Sequence, residues 1–361
     1  MSAPALNLFA GPTALRRLQR EGLRADSFGT VVGASGGPKW FVLYGLDRYL
    51  FGDFFAGREK PLVALGSSAG AWRLSCLGLQ DPVAGIDRLA KHYAAQQYSA
   101  DPDIDEVSQE AVKLVDIVLG EHGAREIAEH PVVQVNIIAD RVRGLVASER
   151  RGALMAGLGL SAVANLFSRR TLGRWFQRVV FHAGPPAPAL AALKDFDTRC
   201  VRLTEGNVRK ALLASGAIPL VLKGVADIPG APPGLYRDGG ITDYHFDLPF
   251  QQGEDLVLYP HFYSHFSPGW FDKSLPWRRP RATHYHNVLV LAPSREFVRS
   301  LPHGKIPDRK DFVRMDFDAR HAYWQTVLQE SARLGEEFAQ LVRSGEGLER
   351  IRPLDEAVRK P

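Results

Sequence analysis

Apolar and polar positions along this chain fall into blocks that read as strands joined by helices. Residues 28–32 and 62–65 are short apolar runs bounded by turn residues, the pattern of strands buried on both faces, and 132–139, 255–260 and 287–292 repeat it. Between them the apolar positions move to helical spacing: 12–24, 40–51, most of 81–129, 203–216, and 318–343 as one long amphipathic helix. Acidic starts at Asp81-Pro82 and over 101–106 suit helix N-termini. A strand near 198–203 leads into the 203–216 helix, Pro219 breaks the chain, and 221–226 resumes as extended. The strand–helix alternation predicts an α/β fold built on a parallel sheet.

One helical block is unusual. Residues 152–167 form an apolar run of 16, short of the roughly 20 that span a bilayer. Arg141, Arg143, Arg150, Arg151, Arg169, Arg170, Arg174 and Arg178 flank it against the single acid Glu149. An apolar helix with an arginine collar suits the surface of an anionic membrane, a lid over an apolar pocket, or a core helix with solvated ends. The 361-residue chain is 45% hydrophobic, enough for a sizeable core, and carries a net charge of +5, so the placement of charge matters more than its total. Two cysteines, Cys76 and Cys200, make neither a disulfide framework nor a metal pair and point to a reducing compartment. Residues 1–10 lack a basic leader and a long apolar core, so a cytoplasmic location, peripheral to the membrane at most, is expected. The histidines show no metal-ligand spacing, and neither a cofactor nor a nucleic-acid partner is expected.

Three places carry chemistry. The run at 62–65 stops at Gly66-Ser67-Ser68-Ala69-Gly70, a G-x-S-x-G pentapeptide followed by helix formers. A serine on so sharp a strand-to-helix turn is exposed to a substrate. The flanking glycines let strand and helix approach, and the helix start at Ala69 favours negative charge beside the hydroxyl. Ser67 lacks that spacing and reads as a polar turn residue. Upstream, Gly33-Ala34-Ser35-Gly36-Gly37-Pro38-Lys39-Trp40 ends a strand and opens a helix, leaving N–H groups that can bind an oxyanion or a phosphate. It is not a magnesium-binding phosphate loop, because Pro38 separates Gly37 from Lys39 and Trp40 stands where Ser or Thr belongs. Downstream, Asp238-Gly239-Gly240 follows strand-like residues and by itself reads as a turn. The aromatic stretch 261–277 reads as a surface excursion.

Taken together and in this order, the three places resemble the patatin-like phospholipase family. Gly36-Gly37-Pro38-Lys39 is similar to its oxyanion motif G-G-x-[KR], Gly66 to Gly70 to its nucleophile elbow, and Asp238-Gly239-Gly240 to its dyad motif D-G-[GA]. Ala214-Ser215-Gly216-Ala217-Ile218-Pro219 is similar to its A-S-x-A-x-P block. The resemblance covers about 28–250, leaving 251–361 as a C-terminal extension, with late strands and a closing helix, of a single 1–361 domain. Ser35 and Trp40 depart from it, since the family usually carries glycine at both places, and Asp247-Leu248-Pro249 stands where members often have asparagine and proline. The resemblance implies a three-layer α/β/α sheet and a lipid acyl hydrolase. Ser68 would be its nucleophile and Asp238 its general base. Gly36, Gly37 and Ala69 would form the oxyanion hole, with Lys39 and Trp40 at the substrate. Its substrate would be a lipid ester, and Arg150, Arg151, Arg169, Arg170 and Arg174 would meet an anionic membrane.

Two other readings stay open. A Ser-His-Asp esterase of the α/β-hydrolase type would use His245 or His286 as base, although in that class several strands precede the elbow. A non-catalytic lipid- or membrane-binding protein of the same fold would explain the arginine collar.

Overall fold

A computed structural model describes residues 3–191, 193–251 and 255–354; of the expected 1–361 span, positions 1–2, 192, 252–254 and 355–361 lie outside the described residues. The strands are β1 (Leu6–Ala10), β2 (Phe28–Gly33), β3 (Leu62–Ser67), β4 (Val133–Val142), β5 (Phe176–His182), β6 (Thr198–Arg202), β7 (Val225–Ala226), β8 (Leu235–Asp238), β9 (Leu256–Pro260), β10 (Val288–Pro293) and β11 (Arg352–Pro353). They form one mostly parallel sheet in the order β11-β1-β10-β9-β2-β3-β4-β5-β6, with β8 on β4 and β7 on β8. Every residue of β9 and β10 is buried, as strands covered on both faces must be. Strands from before and after residue 250 therefore share one sheet, β9 lying parallel to β2.

The register of β4 does most to position the site. Its first half pairs in parallel with β3 up to Ser67 opposite Ile138; β3 then turns away and β8 takes the vacated edge antiparallel, with Asp238 opposite Ala139. The residue after β3 and the last residue of β8 are thus brought to one spot although 170 positions separate them.

Several expected elements are redrawn. The chain's first strand is β1, not 28–32; its five residues pair antiparallel with β10, and Phe9 and Ala10 also pair parallel with β11. The sheet likewise runs antiparallel between β4 and β5. Residues 318–343 are two helices, Phe317–Glu330 and Ala332–Ser344, hinged at Ser331. Gly45 packs against the break: its N–H donates to Ser331 Oγ at 2.8 Å, and a Cβ there would stand 2.4 Å from the Ser331 carbonyl oxygen. Only 225–226 of the extended segment expected at 221–226 is strand. The stretch 261–277 is no surface excursion, since His261, Phe262, Phe266 and Asp272 are all buried. Aromatic stacking of Phe266 on Tyr259 and Tyr285 fixes it to the end of the sheet.

Candidate functional site

β3 ends at Ser67, and the helix Ala69–Ser75 begins one residue later. Ser68, between them, adopts φ 54° and ψ −131°, a left-handed conformation that costs a non-glycine residue about 1–3 kcal/mol. The tightness of the turn demands the flanking glycines. A Cβ on Gly70 would fall 1.9 Å from the Gly33 carbonyl oxygen, and one on Gly66 would fall 2.5 Å from Ala71 Cα. Ser215 holds the strained turn from below: its Oγ accepts from the Ser68 N–H at 2.9 Å and donates to the Ile138 carbonyl at 2.6 Å. That use of the Ser68 N–H removes it from any role toward a ligand.

The Ser68 hydroxyl donates to Asp238 Oδ2 at 2.7 Å. The other carboxylate oxygen, Oδ1, accepts from the Gly240 N–H at 2.7 Å, which fixes the plane of the group. Burial pushes the Asp238 carboxyl up from 3.8 to about 6, with the bonds from Ser68 and Gly240 holding it down in part. Both glycines after it are sterically required, since a Cβ would lie 2.2 Å from the Ile138 carbonyl oxygen at Gly239 and 2.5 Å from Ser35 Oγ at Gly240. A buried carboxylate holding a serine hydroxyl can take its proton directly.

The glycine turn lies against this pair. Gly37 needs its freedom, at φ 57°, and opens the seven-residue 3₁₀ helix Gly37–Leu43. No described residue accepts from the N–H of Gly36, Gly37 or Ala69, as is usual for N–H groups at helix starts. Ser35, where the resemblance calls for glycine, ties the turn down: its N–H donates to the Tyr244 carbonyl at 2.9 Å and its Oγ to Ser67 Oγ at 3.0 Å. Ser67 is accordingly a buried strand residue, not a turn residue. Lys39 lines the site, whereas Trp40 does not. The Trp40 ring is 1% exposed and packs on Phe41, so its expected place at the substrate is corrected to the core. The tight helix turns it away from its neighbour Lys39.

Two cavities meet at Ser68. One, of about 450 Å³, is walled by Trp72, Val107, Ala111, Leu220 and Phe312, with exposed Val313 at its rim. The other is a polar recess of about 60 Å³ next to Asp238 and Lys39, also lined by Trp270, Lys273 and Arg309. Ser68, Gly37, Ile218 and Arg309 belong to both. Lys273 and Arg309 lie beyond residue 250, in segments without a motif, and no local signal pointed to them.

The histidine alternatives are not supported by position. His245 is buried, stacks on Tyr244 and accepts the Ser267 N–H on Nδ1, and burial drives its pKa well below the usual range. His286 lies at the start of the helix Pro12–Glu21, where its carbonyl accepts from Thr13 and Ala14. Neither bonds to the Ser68 hydroxyl. Among the described residues no group of three His, Cys, Asp or Glu side chains is placed to hold a metal ion.

The arginine collar divides. Arg178 is fully buried, bonding Asp243 at 2.6 Å and Asp195 at 2.8 Å, and Arg169 is taken up by the Thr242 carbonyl with Asp272 at 3.8 Å. Arg150, Arg151, Arg170 and Arg174 are exposed. Helix Arg151–Phe167 between them is apolar on both sides: it buries Leu154 and Leu158, with Ser161 and Asn165, while exposing Met155, Leu160, Val163, Leu166 and, at 84%, Phe167. No helix among the described residues is long and apolar enough to cross a membrane. No protein-family model matches the chain, and a search of curated proteins returns no match.

Proposed function

We propose that the protein is a serine acyl hydrolase acting on lipid carboxylic esters through a Ser68–Asp238 dyad, on a three-layer patatin-like fold. The observation that carries this reading is the 2.7 Å bond from the Ser68 hydroxyl to buried Asp238 at a strained elbow, beside three N–H groups to which no described residue is bonded. Ser68 Oγ attacks the ester carbonyl as its proton passes to Asp238. The N–H groups of Gly36, Gly37 and Ala69 stabilise the tetrahedral oxyanion, where one such donor is commonly worth about 3 kcal/mol. The leaving alcohol takes the proton back from Asp238. Water, deprotonated by the same carboxylate, then attacks the acyl-serine and releases the acid and free Ser68.

The apolar cavity beside Ser68 supports a lipid acyl chain as the part bound, its volume lying within the usual range for ligand sites. Peripheral contact with an anionic membrane belongs to the same proposal and draws its support from helix Arg151–Phe167, with its outward apolar side chains among Arg150, Arg151, Arg170 and Arg174. A lipid-class hydrolysis screen beside a Ser68→Ala control tests the activity. Release of fatty acid by the wild type alone is the expected result, and equal release by both proteins refutes it.

A further inference from the structure

The polar recess beside Ser68 has a composition that proton transfer to Asp238 does not require. Three cationic side chains line it: Lys39 from the glycine turn, Lys273 from the aromatic stretch, and Arg309 from the segment before the helix Asp311–Arg314. Among the described residues, Asp238 is the only acid in its wall. Among the described residues Lys39 forms no ion pair within 4 Å, its Nζ lying 6.0 Å over the Phe262 ring, and Arg309 Nη1 is buried without a hydrogen-bond acceptor. The neighbouring carboxylates Asp308 and Asp311 are both engaged by Lys305. Lys273 Nζ sits 3.6 Å from the centre of the Tyr244 ring.

Holding three like charges together costs free energy, and the lysines register it. Burial first, then the nearby cations Lys39 and Arg309, push Lys273 down to about 7; burial lowers Lys39, with Asp308 opposing that fall and Arg309 adding to it. A dianion placed among them would offset the repulsion and accept from the Arg309 fork. A trimethylammonium head group would meet the same charges unfavourably. The large cavity that shares Ser68 with the recess is lined mostly by apolar side chains, so an ester bound across the two would meet different chemistries.

We propose that this recess is a subsite for a phosphate monoester on the alcohol side of the scissile ester, so that the preferred substrate is an acylglycerol phosphate and not a neutral or choline-bearing ester. The inference rests on the hydrolase reading for its catalytic consequence, but the recess itself can be tested without turnover. The kinetic experiment compares 1-oleoylglycerol 3-phosphate with 1-oleoylglycerol. The wild type should favour the phosphate ester in kcat/KM, and Arg309→Met or Lys273→Met should lower that preference about 10- to 100-fold, the usual worth of a charge-assisted hydrogen bond, with Arg309→Lys restoring part of it. The binding experiment follows the melting temperature of Ser68→Ala with glycerol 3-phosphate and with inorganic phosphate. A rise that is lost on adding Arg309→Met supports the subsite. A larger rise with glycerol 3-phosphate supports a lipid-borne phosphate, whereas an equal or larger rise with inorganic phosphate overturns the lipid assignment. Ser68-dependent hydrolysis of both esters with no preference overturns the inference and leaves the hydrolase reading standing. Hydrolysis that survives Ser68→Ala defeats the hydrolase reading, and absence of any thermal rise defeats the recess.

Discussion

Replacing Asp238 by asparagine should stabilise the protein at neutral pH while removing its activity. The carboxyl is 6% exposed and titrates near 6 in the folded protein, against 3.8 for an ordinary aspartate. Between about pH 4 and pH 6 the folded protein keeps a proton that the unfolded chain has released, so stability falls as pH rises through that window and the deficit is constant above it. The gap between the two values converts to about 3 kcal/mol, of which about 1 kcal/mol is already spent at pH 4.5. Asparagine does not ionise, and its amide oxygen can still accept from the Gly240 N–H. Relative to wild type, Asp238→Asn should therefore gain about 2 kcal/mol in unfolding free energy between pH 4.5 and pH 8. Urea unfolding of both proteins across that range measures it, with equal m-values as the check that the unfolded states are comparable. A stability difference that stays flat with pH would refute the raised carboxyl and with it the account of a buried base.

Other perturbations probe separate links. The rate on a neutral ester, as kcat/KM, should fall with unit slope below about pH 6, and His245→Gln should leave the inflection in place. Because burial lifts Asp238 into the range of a histidine, the inflection alone does not distinguish the two bases and the variant is needed. Gly70→Ala should cost about 3 kcal/mol or more, seen as a large fall in melting temperature or loss of soluble protein, because its Cβ would lie 1.9 Å from the Gly33 carbonyl oxygen. Arg170→Glu with Arg174→Glu should weaken co-sedimentation with anionic liposomes by about tenfold or more at low salt, and unchanged binding would remove the membrane contact.

Much of the sheet was legible because strands buried on both faces write themselves as continuous apolar runs, as β2, β3, β9 and β10 do. The elbow and the Asp-Gly-Gly turn were legible for a similar reason: at Gly66, Gly70, Gly239 and Gly240 a side chain has no room, and glycine spacing records that. What stayed hidden depends on convergence in space. Ser215 stood in a recognised block, but its grip on the Ser68 N–H needs the β4 edge. Lys273 and Arg309 reach the site from segments with no periodicity, and the stretch carrying Lys273 looked like a loop because its aromatic residues pack on rings from distant strands. Trp40 misled by adjacency to Lys39, and the collar by composition, which does not separate buried Arg178 from exposed Arg170.

The central claim is that Ser68 is a nucleophile activated by Asp238, and reaction with a fluorophosphonate followed by peptide mass mapping tests it most directly. The account predicts one covalent adduct, on Ser68, absent in Ser68→Ala and formed far more slowly in Asp238→Asn. A folded wild-type protein that takes up no label, or takes it up on another residue, would contradict it.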